Sequence, residues 1–416
     1  MEKKVKQTEF SGVILIPSSK SDGQRAILSA ALSAGTTELV GIGKSHDEQC
    51  MLENIRQLGA SIEFVSGDST IIHGVDKFPP TAALNVGESG LGVRLISSVC
   101  AAHQGKFTIN GEGSLLLRPQ DFFENHLPLL GAKVKSNSGK LPLEIDGPMT
   151  GGEIEVDGSM SSQFLSGLLM AAPLLENNTV LNVKNLKSIP YVEMTLNTLQ
   201  LFGIEIENEN FERFVIKGNQ KYQCHSYEIE RDWSSASYWL VAAALDHSVI
   251  IQGLSLASLQ ADVAILDALN EAGCMISLDE DLLLIDGDER HAFEFDATHC
   301  PDLFPALVTF AAFCIGESKI MGLHRLKNKE SDRGIALQKE FGKLGLKIDL
   351  SGDTMTIFGG VKLNSSKVDA HNDHRIAMCL AIAGSLIDGG LDITGAESVS
   401  KSYPGFWDDL DALIVE

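Results

Sequence analysis

A glycine returns along this chain at nearly constant intervals, each time between an amphipathic stretch and a β-branched one. The phrases are "IRQLGASIEF", "LPLLGAKVKS", "TLQLFGIEIE", "LNEAGCMISL" and "FGKLGLKIDL", marked by Gly59, Gly131, Gly203, Gly273 and Gly345. Their spacings are 72, 72, 70 and 72 residues. Glycine suits the left-handed conformation that ends many helices, and a single such ending carries little information. Five at one period describe a repeated supersecondary unit. The last stretch, "FWDDLDALIVE", supplies the helix of a sixth copy, which the N-terminal strand "VILI" is expected to complete.

A second series keeps the same period: "SSKSDGQRAILSAALSAG", "ESGLGVRLISSVCAAHQG", "SMSSQFLSGLLMAAPLLEN", "DWSSASYWLVAAALDHS", "PDLFPALVTFAAFCIG" and "NDHRIAMCLAIAGSLIDG". Each has Ser, Asp or Asn at its front, the residues that cap helix starts. Each then becomes small and apolar nearly all round, as a buried helix must. Short β-branched runs such as "FTINGEG", "TVLNVKNL" and "TMTIFGG" lie between them and read as strands. The unit is therefore about 70 residues of two helices and three or four strands, one helix buried and one outside. Six units predict an α/β fold of two domains, three units in each, in keeping with a chain of 416 residues. Because the sixth unit needs both termini, one domain is expected to be discontinuous, residues 1–18 with 231–416, and the other to span 19–230.

Buried helices packed in threes point their N-termini the same way, and helix N-termini offer free N–H groups and partial positive charge. Two such domains facing each other predict an anion-binding cleft. The residues at those starts fit: Lys20, Ser21 and Arg25; Gly90 and Arg94; Ser161, Ser162 and Gln163; Asp232 and Ser234; Asp302; and Asp373, His374 and Arg375. Linking segments add Arg118, Lys329, Arg333 and Lys401. Ser and Asp there are ordinary caps. Lys20, Arg25, Arg94 and Arg375 are not, because the helix dipole disfavours cations at the N-terminus unless an anion is present. Several arginines, whose forks bind phosphate or carboxylate bidentately, imply ligands with more than one anionic group. Lys329 and Arg333, four apart in "LKNKESDR", are expected on one helix face.

The net charge of −23 argues against nucleic acid held by bulk electrostatics. An anion site must then be a local cluster of cations. Helices lining a DNA-encircling ring would carry Lys and Arg along their faces, whereas these are apolar with cations only at the ends. The first ten residues, MEKKVKQTEF, have no apolar segment, and no apolar run reaches a bilayer span. The seven cysteines are odd in number and never spaced CxxC, so they read as reduced packing residues. A cytoplasmic protein without membrane attachment is expected. His371 and His374 have the spacing of a metal pair, but no carboxylate-flanked HExxH pattern accompanies them. No metal site is expected, and His374 reads as a neighbour of the anion site or an interior histidine.

Four segments together resemble the 5-enolpyruvylshikimate-3-phosphate synthase family, over essentially the whole chain. "IPSSKSDGQRA" is similar to its PGSKSxxxRA element, "DGSMSSQFLSGLLMAAPL" to DGSxSSQFxxALLMxAP, "LKNKESDR" to RxKESDR and "NDHRIAMCLAIAG" to NDHRxAMxxA. The resemblance implies a two-domain inverse α/β barrel of six βαβαββ units with its active site in the interdomain cleft. It implies the addition of the 5-hydroxyl of shikimate 3-phosphate to C2 of phosphoenolpyruvate, protonation of C3 and loss of phosphate. Neither metal nor organic cofactor is implied, and the enzyme is expected to be a monomer. By position, Lys20, Ser21, Arg25, Ser161, Ser162, Gln163, Ser188, Tyr191, Asp302 and Lys329 resemble the shikimate 3-phosphate set. Lys20, Gly90, Arg118, Gln163, Arg333, Arg375 and Lys401 resemble the phosphoenolpyruvate set. The reaction needs a base and an acid, and the candidates are Asp302 for the first and Glu330 and Lys20 for the second.

The chain departs from the pattern in two places. The family's NAGT stretch is here "ESGL", Glu88 to Leu91, and an Asn before the KESDR element is Arg325. No contact is carried over to Glu88, Leu91 or Arg325. The related UDP-N-acetylglucosamine 1-carboxyvinyltransferases carry a reactive cysteine on a loop ahead of an Arg-Pro pair. Here Gly111 to Arg118 reads "GEGSLLLR", without cysteine.

Overall fold

The computed structural model describes all 416 residues except Ser66, Met160, Asn328 and Glu416. Each marking glycine lies at positive φ, from +77° at Gly203 to +112° at Gly59. At Gly59 the N–H bonds the Arg56 carbonyl and the next N–H, of Ala60, reaches back to Ile55 (both 3.0 Å). At Gly345 the same pair joins Gly342, and Leu346 to Phe341 (both 3.1 Å). This double closure satisfies carbonyls that a helix end leaves open. It recurs at Gly131, Gly203 and Gly273, turning the chain each time from an outer helix into a strand.

The helices alternate between buried and outer. In chain order they are α1 (Lys20–Leu32) and α2 (His46–Gln57), α3 (Gly90–Ala102) and α4 (Asp121–His126), α5 (Ser162–Ala171) and α6 (Ile189–Leu201). There follow α7 (Trp233–Ala244) and α8 (Ile265–Glu271), α9 (Phe304–Phe313) and α10 (Arg333–Lys343), α11 (His374–Leu386) and α12 (Phe406–Ala412). The odd-numbered members are those of the apolar series. Ser19, Ser89, Ser161, Asp232 and Asp373 cap α1, α3, α5, α7 and α11, each side chain accepting a first-turn N–H. α9 differs: it is entered through the 3₁₀ turn Pro301–Leu303 and has no side-chain cap. Asp302 is thereby left for other partners.

The second, third and fifth units share one sheet plan. Thr81–Asn85 runs parallel to Gly105–Asn110 across α3, and Lys140–Gly147 and Lys133–Asn137 continue the sheet antiparallel. The first and fourth units exchange their first strands. Ser11–Leu15, which leads into α1, pairs parallel with Ser248–Gln252, which follows α7. Ser226–Glu228, ahead of α7, pairs parallel with Thr36–Val40, which follows α1. The expectation that "VILI" completes the sixth unit is therefore corrected. Glu2–Val5 takes that place, antiparallel to Leu391–Thr394. "VILI" leads straight into a buried helix, so it plays the part of a unit's first strand, which pairs parallel; the opening in the sixth sheet is antiparallel.

The chain divides into two compact units, Met1–Pro17 with Arg231–Glu416, and Ser18–Glu230. It passes from one to the other in the turns between an exchanged strand and the helix that follows. In Ser18–Glu230 the core gathers Phe107, Phe123, Phe164, Phe202 and Phe214. In the other, Trp239 meets Phe10 edge-on, with ring centroids 6.3 Å apart, and Phe406 at 5.4 Å. Among the described residues no helix is long and apolar enough to cross a membrane.

Candidate active site

In Ser18–Glu230 the starts of α1, α3, α5 and α6 carry the polar residues. Arg25 is 1% exposed. Its Nε donates to Thr195 Oγ1 (2.8 Å), Nη1 to the Ser21 carbonyl (2.7 Å) and Nη2 to the Tyr191 carbonyl (3.0 Å). Burial lowers its pKa to about 10, opposed by the Asp22 carboxylate. It remains a cation at neutral pH. Asp22, also buried, accepts from the Tyr227 hydroxyl (2.6 Å) and the Glu230 N–H (3.1 Å); burial pushes its pKa up to about 6.

Lys20 is the first residue of α1, and its Nζ lies 3.1 Å from Asp47 Oδ2 in the first turn of α2. Sequence reasoning missed Asp47. The capping box of Ser45 and Glu48 signals the helix start around it, but nothing local signals its partner. Ser161 accepts from the Gln163 N–H (3.2 Å), and Ser162 opens α5. Ser188, at φ +55°, precedes α6, whose first turn includes Tyr191.

Gly90, Arg118 and Gln163 come together. A Cβ on Gly90 would lie 2.8 Å from Arg118 Nη1, 3.0 Å from Arg94 Nη1 and 3.6 Å from Gln163 Oε1. The missing side chain lets two guanidinium groups close over the start of α3. Arg94 Nη1 donates to the Gly90 carbonyl (2.7 Å) and its guanidinium lies 4.9 Å from the Phe164 ring centre, a cation–π geometry. Leu91 points into the apolar core.

In the other unit the cations converge on one carboxylate. Asp302 Oδ1 accepts from Lys329 Nζ (3.0 Å) and Arg333 Nη1 (2.6 Å), and Oδ2 from Arg375 Nη2 (3.2 Å). Burial opposes the charge, but Arg375, Lys329 and Arg333 outweigh it and hold Asp302 well below the usual carboxylate range. Arg333, 1% exposed, also gives Nε to Asp373 Oδ2 (2.8 Å) and Nη2 to Glu330 Oε2 (2.6 Å). Burial works against its charge, yet Asp373, Glu330 and Asp302 raise its pKa. Lys329 goes the other way, lowered by burial with only partial relief from Asp302.

The expected helical face shared by Lys329 and Arg333 is absent. α10 starts only at Arg333, because Asp332 caps it by accepting the Ile335 N–H (3.3 Å), and Lys329 lies ahead of the helix. Asp302, rather than helical spacing, brings the two together. Lys401, at the end of the 3₁₀ turn Ala396–Lys401, donates Nζ to the Asn372 carbonyl (2.7 Å). A carboxylate not foreseen from sequence, Asp262, accepts from the Ser234 hydroxyl; burial first, then nearby Asp302, push its pKa up to about 7. His371 Nε2 sits 2.8 Å from Glu340 Oε1, and His374 is buried in the first turn of α11. Among the described residues no group of three or more His, Cys, Asp or Glu is placed to hold a metal ion.

Residues 5–410 match the family described as EPSP synthase (3-phosphoshikimate 1-carboxyvinyltransferase). The chain is 39% identical over 409 residues to the 3-phosphoshikimate 1-carboxyvinyltransferase of Clostridium acetobutylicum, covering 97% of this chain and 95% of that protein. It is 36% identical over 418 residues to that of Clostridium novyi, covering 98% and 96%. The structure of EPSP synthase from Acinetobacter baumannii superposes with a TM-score of 0.80 at 25% identity, over 99% of this chain and 98% of that one.

Proposed function

Since the chain belongs to the EPSP synthase (3-phosphoshikimate 1-carboxyvinyltransferase) family, and is thus an enzyme of the shikimate pathway that transfers the carboxyvinyl group of phosphoenolpyruvate to shikimate 3-phosphate, we propose how its residues divide that reaction. Lys20, Ser21, Arg25, Ser161, Ser162, Gln163, Ser188, Tyr191, Asp302 and Lys329 bind shikimate 3-phosphate. Lys20, Gly90, Arg118, Gln163, Arg333, Arg375 and Lys401 bind phosphoenolpyruvate. The observation that carries this division is the convergence of Lys329, Arg333 and Arg375 on Asp302. Asp302, Glu330 and Asp373 balance these three cations here, so a dianionic or trianionic ligand would bind by taking over cations that the carboxylates now hold.

Addition removes a proton from the 5-hydroxyl and delivers one to the methylene carbon, after which phosphate leaves. Asp302 is the base. Its three cations keep it ionised, and they also weaken its hold on a proton. Substrate anions that draw those cations toward themselves raise the proton affinity of Asp302 as they bind. Glu330 and Lys20 are the candidates for protonating C3, and the arginines stabilise the departing phosphate. The reading needs no metal or organic cofactor.

Replacement of a guanidinium fork by lysine separates the two sets. Arg25→Lys is expected to raise KM for shikimate 3-phosphate, and Arg375→Lys KM for phosphoenolpyruvate, because lysine keeps charge but loses bidentate geometry. A substitution that moves neither KM removes that residue from its set. We also read the enzyme as a cytoplasmic monomer: the free cysteines fit a reducing compartment, and the charge of −23 opposes self-association. Sedimentation at the mass of two or more chains would overturn the second part.

A further inference from the structure

Glu88, where the chain leaves the family's pattern, occupies a defined place in the structure. The approach to α3 and the segment ahead of Arg118 run side by side. The Val86 N–H donates to the Asn110 carbonyl (3.0 Å), the Glu112 N–H to the Gly87 carbonyl (2.7 Å), and Asn85 Nδ2 to Glu112 Oε1 (2.7 Å). Glu88 makes the next rung. Its Oε2 accepts both the Ser114 backbone N–H (2.8 Å) and the Ser114 hydroxyl (2.9 Å).

Ser114 belongs to the 3₁₀ turn Gly113–Leu117, and the residue that ends this turn is Arg118, whose N–H bonds the Leu115 carbonyl (3.2 Å). Gly113 shows that the contact is built in. It lies at φ +50°, and a Cβ there would fall 2.3 Å from the Glu88 carboxyl carbon. A side chain at 113 would occupy the space that the carboxylate needs to reach Ser114. Beyond the rung, the two segments meet again where Arg118 Nη1 approaches the backbone of Gly90.

We propose that Glu88 is a positioning residue for phosphoenolpyruvate binding: by holding Ser114 it fixes the 113–117 turn and, through it, the place of the Arg118 guanidinium beside Gly90. The inference rests on the assignment of Arg118 to the phosphoenolpyruvate set. Glu88 acts through Arg118, so its removal affects one substrate and not the other. An amide at 88 keeps an acceptor oxygen but loses the charge that strengthens both bonds.

The test is a set of steady-state KM measurements for both substrates in Arg118→Ala, Glu88→Ala, Glu88→Gln and Ser114→Ala. Arg118→Ala raises KM for phosphoenolpyruvate. Glu88→Ala raises the same KM about tenfold, the scale of losing hydrogen bonds to a charged group, while KM for shikimate 3-phosphate stays within about twofold. Glu88→Gln falls between wild type and Glu88→Ala, Ser114→Ala shifts the same KM less, and adding Glu88→Ala to Arg118→Ala changes nothing further. If Arg118→Ala raises the phosphoenolpyruvate KM and Glu88→Ala does not, the inference fails while the site assignment stands. If Arg118→Ala leaves it unmoved, the assignment fails and the inference with it. Should Glu88→Ala not fold, unchanged values in both Glu88→Gln and Ser114→Ala overturn the proposal.

Discussion

Arg333 Nη1 and Asp302 Oδ1 are 2.6 Å apart, and Lys329 shares that same oxygen at 3.0 Å. The base assigned to the reaction is thus neutralised by the cations assigned to the ligands. On the proposed roles, binding and basicity would be coupled through one carboxylate, because a cation that turns toward substrate also releases Asp302.

Asp302→Asn keeps the size of the side chain and removes its capacity to accept a proton. Turnover is expected to fall by about a hundredfold or more, the usual scale for a general base. Shikimate 3-phosphate should still bind, measured by calorimetry. Near-normal turnover would move the base to another residue.

Arg333→Met leaves Asp302, Glu330 and Asp373 without their shared partner, and Asp373 has no exposed surface. Breaking a buried pair from one side costs about 3–5 kcal/mol, which urea unfolding would record as a lower midpoint. A loss under about 1 kcal/mol, the level of a surface ion pair, would show that the cluster is solvated.

Asp22 links stability to pH. Burial raises its folded pKa to about 6, above the ordinary 3.8 of an aspartate, so the folded chain holds this proton more tightly than the unfolded one. Its stabilising contribution is full below about pH 4 and is lost as pH rises toward 6, amounting to about 3 kcal/mol. Asp22→Asn should flatten that part of the stability-versus-pH curve. An unchanged slope between pH 4 and 6 assigns it to another group.

Gly345→Ala tests the repeated helix ending without touching the site. The position lies at φ +94°, with Asn364 Nδ2 3.2 Å from the added carbon, so the cost is mainly backbone strain of about 1–2 kcal/mol. Thermal unfolding should shift down while both KM values stay put. An unshifted midpoint would mean that the ending tolerates a side chain.

The features legible in the sequence are those written in local terms. The buried helices, their caps at Ser19, Ser89, Ser161, Asp232 and Asp373, and the glycine endings need only a few neighbouring residues, so a period exposes them. Strand partners are not local. Nothing in "VILI" says that it lies beside Ser248–Gln252, and the charged "EKKV" gives no hint that it closes the sixth sheet. Ion pairs share this limit: Lys20 and Arg333 stand out as cations and Glu330 is a near neighbour of Arg333, but Asp47, Asp302 and Asp373 come from elements that only the fold brings near. At Lys329 the local signal misled, because the Asp332 cap starts the helix at Arg333 and leaves Lys329 outside it.

The exchanged strands set an order on the making of the protein. Ser18–Glu230 is one unbroken stretch, and it leaves the ribosome with all its sheet partners present. The strands Glu2–Val5 and Ser11–Leu15 emerge earlier still, yet their partners at Leu391–Thr394 and Ser248–Gln252 are translated after that whole stretch. Strands translated before that stretch are thus paired only after it. While they wait, the apolar "VILI" strand has an open edge, the kind of surface that templates wrong pairing, and its protection during translation falls to the speed of elongation or to chaperones.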